Sequence, residues 1–312
     1  MGTRIFPNDD LHRSVLRLPF FIVAAIAIAA CHPGNEQAKQ LRQSCEAGEA
    51  KACNQLAVRL QKGEYVLRDD REASEMFDKA CDKRFGEGCA NLGLAYQRGK
   101  GVKRDSVRAL KLFQQGCEQK AMEGCAQLGV LYRKGAGVPK DVARSASLFQ
   151  QACTGNSQLG CANLAALYDA GEGVAKDAAR SAQLFKQSCD AKIPLGCLGL
   201  AKLHSTGTIV ALNDSIAAEM FGVACEGGEI EGCFRRAVAF ETGVGVDQSS
   251  WRAAMLYEEA CEDKYGEACA RLAVMYEKGF GVERDVKRAA GLRKDACKAG
   301  YLQACDKAKA QS

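Results

Sequence analysis

The sequence predicts an all-α superhelix, an α-solenoid of about seven stacked helix pairs with a 36-residue period. Three observations carry that fold class. First, sixteen of the 17 cysteines fall on one lattice: Cys45, Cys81, Cys117, Cys153, Cys189, Cys225, Cys261 and Cys297 advance by 36, and Cys53, Cys89, Cys125, Cys161, Cys197, Cys233, Cys269 and Cys305 repeat them eight residues later. Second, the positions three, four and seven after each second cysteine are mostly leucine, small and aromatic in turn, the spacing of one helix face. Third, a glycine stands ten residues after the second cysteine in every unit, from Gly63 to Gly279, where a left-handed C-cap would end that helix.

The chain divides into a leader (1–30), a short linker (31–35) and the repeat array (36–312). The leader begins with Arg4, Arg13 and Arg17 and continues in the apolar run Leu18–Ala30, the pattern of an export signal rather than a membrane span. It ends Ile28-Ala29-Ala30-Cys31, which resembles a bacterial lipobox. Cys31 is therefore the expected lipidation site. His32 follows it where an aspartate would signal inner-membrane retention. By that analogy, the expected location is the cell envelope, anchored to the outer membrane and facing the periplasm, with a secreted or surface location as the alternative.

Within each unit the first helix, A, starts near the second cysteine. It presents Leu56, Leu92, Leu128, Leu164, Leu200, Arg236 and Leu272, then a small residue, then Leu60, Tyr96, Tyr132, Tyr168, His204, Phe240 and Tyr276. The small residue lets a neighbouring helix approach. An invariant valine, Val66 through Val282, follows the glycine as a loop plug into the core. Asp69, Asp105, Asp141, Asp177, Asn213, Ser249 and Asp285 are N-cap residues for the second helix, B. Helix B carries Phe77, Phe113, Phe149, Phe185, Phe221 and Tyr257 inward and ends at the next first cysteine. A lone B-like helix at about 36–45 and a lone A-like helix at about 301–310 are expected to close the array.

Seventeen cysteines are too many for a reducing compartment unless they hold metal. Zinc fits poorly, because the spacing is C-x7-C and the chain has only three histidines. The expectation is eight disulfides, Cys45–Cys53 and onward, with Cys31 left over for the anchor. Basic and acidic residues, 43 and 38, are interspersed. No nucleic-acid stripe results.

The units of the form Gly88-Cys89-Ala-Asn-Leu-Gly-Leu-Ala-Tyr96, Gly99-Lys-Gly-Val102, Asp105, Ala109, Leu112-Phe113 and Cys117 resemble Sel1-like repeats. The added C-x7-C is similar to the cysteine-rich Sel1-repeat proteins of the Hcp family, over roughly residues 36–310. That resemblance implies an exported solenoid and brings with it a beta-lactamase or penicillin-binding label. The sequence offers that label no machinery. It contains neither a Ser-x-x-Lys nor a Lys-Thr-Gly motif, so no catalytic residue is assigned, and no cofactor or metal.

Binding is the better expectation. In A/B solenoids the A helices line the concave face. Two residues after each second cysteine stand Gln55, Asn91, Gln127, Asn163, Gly199, Arg235 and Arg271. The amides suit an extended peptide backbone, and Arg235 with Arg271 suit a carboxylate end; the competing reading is a plain solvated helix face. The expected partner is a protein or peptide, peptidoglycan-derived peptides included, met by a monomer that touches the membrane only through its anchor. The fifth and sixth units depart from the pattern at His204, Thr208-Ile209, Phe234, Arg236 and Trp251. Either a local pocket forms around Phe234, Arg235, Arg236 and His204, or Arg236 snorkels from a drifted repeat, with Glu231, Glu241 or Glu219 as partner.

Overall fold

The computed structural model describes residues 33–305. Cys31 and the apolar run before it lie outside these, as do residues 306–310 of the expected closing helix. Among the described residues there are fifteen α-helices, one 3-10 turn and no strand.

The described residues divide into two compact units, one ending at Gln119 and the other starting at Lys120. In the first, helix α1 (Pro33–Glu46) is the lone B-like helix. It is followed by the A/B pairs α2 (Ala50–Lys62) with α3 (Asp70–Asp82), and α4 (Gly86–Arg98) with α5 (Ser106–Glu118). The second unit holds the pairs α6 (Met122–Lys134) and α7 (Val142–Thr154), α8 (Gln158–Ala170) and α9 (Ala178–Asp190), and α10 (Pro194–Thr206) and α11 (Asp214–Glu226). It continues with α12 (Ile230–Thr242) and α13 (Ser250–Glu262), then α14 (Gly266–Lys278) and α15 (Val286–Lys298). The described start of the expected closing helix is a 3-10 turn, Leu302–Ala304, not an α-helix.

The helix ends follow the predicted chemistry. Every A helix stops at its glycine in the left-handed conformation, with φ between 65° and 77°. Six of the seven N-cap side chains accept a backbone N–H of the first turn of helix B. Ser249 caps by position only, with no side-chain bond. Each orphan donor satisfied in this way contributes about 1 kcal/mol.

Packing follows the columns. Phe77, Phe113 and Phe149 are completely buried. A Cβ on Gly93 would lie 2.7 Å from the Phe113 ring, and one on Gly129 would lie 2.7 Å from Phe149, so the small column is what admits helix B. The loop valines are half-buried, and Val66, Val174, Val210, Val246 and Val282 pack against the cores. Each buried phenyl contributes roughly 1.5–3 kcal/mol.

Disulfides tie the last turn of a B helix to the first turn of the next A helix. They are Cys45–Cys53, Cys81–Cys89, Cys153–Cys161, Cys189–Cys197, Cys225–Cys233, Cys261–Cys269 and Cys297–Cys305, with Cα–Cα distances of 4.4 to 4.9 Å. Cys117 and Cys125 are disulfide-bonded as well. The turn inside each staple has one residue at positive φ, which is Gly in Gly48, Gly228 and Gly300 but Arg84, Lys120, Asn156, Lys192 or Lys264 elsewhere. That left-handed position was not visible in the column pattern, because its occupants share no side-chain chemistry.

Candidate functional site

The A-helix column expected to bind is mostly engaged with the protein itself. Gln55 and Arg235 are exposed, Asn91, Gln127 and Arg271 are half-buried, and Asn163 is buried. In the first unit Asn91 Nδ2 donates to Asn54 Oδ1 at 2.9 Å, linking α4 to α2. In the second, Asn163 Nδ2 donates to the Leu159 carbonyl at 2.9 Å, within its own helix. Gly199 is buried because the Phe185 ring sits on it; a Cβ there would meet the ring at 2.4 Å.

The two arginines hold carboxylates already. Arg235 pairs with Glu231 at 3.4 Å, and Glu231 also takes Lys202 Nζ at 2.6 Å. Arg271 reaches Glu241 at 3.0 Å and Glu267 at 3.2 Å. Burial opposes the Arg271 charge, but Tyr257 and Glu241 outweigh it and hold its pKa above the ordinary arginine value. An incoming carboxylate at this pair would exchange partners rather than fill an empty clamp. Burial pushes the nearby Glu229 carboxyl above the usual range, while Lys134 and Lys202 pull it back.

The residues grouped in the fifth and sixth units separate. Phe234 is buried and stacks on Tyr265 with ring centroids 4.7 Å apart. Arg236 Nη1 donates to the Ala218 carbonyl, and its guanidinium lies 4.9 Å over the Phe240 ring. Burial lowers its pKa, and Glu219 and Glu226 act in the opposite sense. It is half-buried and lies beside Gly222. Of the three glutamates considered as partners, only Glu219 acts on it, through the field rather than a direct pair. His204 instead lines a groove of about 560 Å³ with Leu200, Val210, Ile216 and Met220.

One column was missed. Arg108, Arg144, Arg180 and Arg288 each lie 4.5 to 4.9 Å over the tyrosine of the same repeat, Tyr96, Tyr132, Tyr168 and Tyr276. Arg252 lies 5.4 Å over Phe240 in the same relation. The 36-residue register would have revealed this, since each arginine follows its aromatic by twelve. Cys225, Cys233 and Glu259 come within 4.8 Å of one another. Their sulfurs form a disulfide, so they offer no thiolate to a metal.

The Sel1 repeat family matches the chain seven times, at residues 50–84, 86–120, 123–157, 158–192, 194–229, 230–265 and 266–301. No curated protein matches it. Among solved structures it is similar to a Sel1 repeat protein from Oxalobacter formigenes, at 21% identity and a TM-score of 0.60, covering 94% of this chain and 85% of that one. It is also similar to a protective antigen of uropathogenic Escherichia coli strains displaying an SLR fold, at 25% identity and a TM-score of 0.56, covering 86% of this chain. The chain spans 57% of that antigen's length. Helicobacter pylori cysteine rich protein B aligns at 27% identity over 43% of this chain and 97% of its own, with a TM-score of 0.34. Seven family matches running through the disulfide-stapled helix pairs establish that the chain belongs to the Sel1 repeat family.

Proposed function

We propose that this chain is an exported, lipid-anchored scaffold that binds a protein or peptide on the surface made by its A helices. The observation that carries the reading is the set of B-to-A disulfides in a chain of repeats with no assigned catalytic group. Disulfides at every turn require an oxidising compartment, and the leader with Cys31 supplies both a route there and an anchor. The outer membrane, facing the periplasm, is the location that His32 favours. Gln55 and Gln127 on the A helices offer polar side chains for a peptide backbone, including one derived from peptidoglycan, and the Arg235–Glu231 and Arg271–Glu241 pairs can exchange partners with an incoming carboxylate. Beta-lactam hydrolysis is not proposed, because the sequence supplies no Ser-x-x-Lys or Lys-Thr-Gly machinery.

Two measurements test the reading. Metabolic labelling with a palmitate analogue should mark the wild-type chain and not Cys31→Ser, and the label should sediment with outer membranes. An unlabelled wild-type chain would remove the anchor. Crosslinking in intact cells should recover a defined envelope partner, with recovery falling severalfold for a Gln55→Ala/Arg235→Ala variant. Unchanged recovery would remove the A-helix surface.

A further inference from the structure

The fifth repeat breaks the arginine–aromatic column. At the aromatic position it has His204, and at the arginine position Ile216. Two further substitutions of the lattice fall beside these. Leu212 stands where other repeats have Arg104, Lys140, Lys176 or Arg284, and Ile209 stands where five repeats have glycine. All four changes exchange a charged, aromatic or minimal residue for one that leaves an apolar surface or a gap. Ile209, Leu212 and Ile216 are 46%, 61% and 37% exposed.

The result is an open groove between α9, α10 and α11, with Ala182, Leu200, Val210, Ile216 and Met220 on its walls and His204 at its edge. Two repeats on, the equivalent groove is mixed rather than apolar. Arg288 covers Tyr276 there and pairs with Glu258, and Lys264, Asp295 and Lys298 line it beside Leu272 and Leu292, so charged groups break up its apolar wall. The apolar character thus belongs to the fifth repeat and not to the repeat architecture. A volume of about 560 Å³ is ample for a large apolar side chain.

Charge around the groove narrows the occupant. Lys186 and Asp190 on its rim neutralise each other at 2.8 Å. The lattice places Arg180 and Arg252 on the helices either side of Ile216. Both are exposed, and among the described residues neither makes an ion pair with a carboxylate. Tyr168 holds the Arg180 guanidinium at 4.9 Å; Phe240 and Trp251 hold that of Arg252 at 5.4 and 5.5 Å. Stacked guanidiniums are pre-positioned, so a carboxylate binding them loses less side-chain entropy. His204 Nδ1 lies 3.1 Å from the Ala211 carbonyl, which leaves Nε2 as the ring nitrogen for a ligand's hydrogen bond.

We infer that this edge of the second unit docks an acidic protein segment, with one large apolar side chain in the His204–Ile216 groove and carboxylates reaching Arg180 and Arg252. The inference rests on the scaffold reading but uses the B-helix edge rather than the A-helix surface. Arg180 and Arg252 stand in the same register one repeat before and one repeat after Ile216. The acids of the segment therefore belong on either side of the apolar anchor.

The test uses the purified, oxidised protein and fluorescein-labelled heptapeptides in a Gly/Ser background. The probe has a central leucine and an aspartate at each end. Anisotropy should show saturable binding that weakens at least tenfold when the leucine becomes serine, and at least tenfold when both aspartates become lysine. The double substitution His204→Tyr/Ile216→Arg, which restores the pair found in the neighbouring repeats, should abolish binding with an unchanged far-UV spectrum. Arg180→Ala and Arg252→Ala, both on the surface, should each weaken it at least threefold. No saturable binding, equal binding of the lysine peptide, or full binding by the double variant would overturn the proposal. Gln55→Ala/Arg235→Ala should leave the peptide affinity unchanged. The failure of this groove is therefore separable from the failure of the A-helix surface.

Discussion

Tyr257 donates its hydroxyl to Glu241 Oε2 at 2.6 Å, from a B-helix position where five earlier repeats bury a phenylalanine. One repeat later the relation recurs with different chemistry: Arg293, buried in the same column, reaches Glu277. In both cases the acid lies sixteen residues earlier, on helix A of the same repeat. A polar tip entered the core only where the facing A-helix position carries a carboxylate, as a buried donor requires. Burial, then the bond to Glu241, raises the Tyr257 pKa, so the phenol stays protonated and remains a donor.

Tyr257→Phe keeps the ring that the column is shaped for and removes one bond to a charged acceptor. It should cost about 1–2 kcal/mol. Because Glu241 also takes Arg271, Tyr257→Phe and Glu241→Gln should combine sub-additively, by about 0.5 kcal/mol or more. Urea titrations of the two single variants and the double variant measure this. Strict additivity would show that the bond contributes nothing.

Arg236 gives the opposite case, a charge in a leucine column. It makes one bond to a backbone carbonyl and covers Phe240, but no carboxylate pairs with it directly. Burial disfavours its charge. Arg236→Leu restores the residue found in the other six repeats and should leave stability unchanged or raise it by about 1 kcal/mol. Arg236→Ala, which loses the packing as well, should cost about 2 kcal/mol. The two denaturant midpoints decide the matter. A leucine variant clearly less stable than the wild type would mean that the guanidinium is structurally required.

Much of this was legible because a repeat displays each physical requirement seven times. Leu164 alone says little; a leucine at one phase in six of seven units defines a buried helix face, and Gly171 with its counterparts defines the helix end. The cysteine lattice located the B-to-A turns for the same reason. What stayed hidden depends on pairs rather than columns. Asn163 belonged to a polar column that looked solvent-facing, yet it is buried and bonded to its own helix. Arg235 and Arg271 looked available, but their acids lie four residues back and, for Arg271, also on the preceding A helix. The arginine–aromatic column was readable in principle. It joins two helices, and a face-by-face inspection passes over it.

Ser249 offers a direct gain. The other N-caps are Asp or Asn and accept a first-turn N–H, whereas Ser249 has the same extended backbone, φ −154°, and no such bond. Ser249→Asp should supply the missing acceptor and place a negative charge at the N-terminus of α13. The expected gain is roughly 0.5–1 kcal/mol at neutral pH. The charge part of that gain should fall away once acid has protonated the new carboxylate. Thermal melts of wild type and variant at neutral and acidic pH test both parts; a gain that survives acidification undiminished would assign it to something other than the cap's charge.

The staples carry the sharpest quantitative expectation. All the disulfides described here have a sequence separation of eight. Loop-closure entropy therefore assigns each the same stabilisation, about 2.5 kcal/mol. The native surroundings are not the same: Cys153–Cys161 lies between full helix pairs, whereas Cys297–Cys305 ties α15 to a 3-10 turn. Replacing each pair by alanine separates the two contributions. Equal losses near 2.5 kcal/mol would show that the staples act on the unfolded chain. A markedly smaller loss for Cys297→Ala/Cys305→Ala would show that the bridge works through the helix it leads into, which for this pair starts as a 3-10 turn among the described residues. Entropy sets the common floor, so the expected order is interior loss equal to or greater than terminal loss. Calorimetry of the two variants that reversed this order would exclude the denatured-state account.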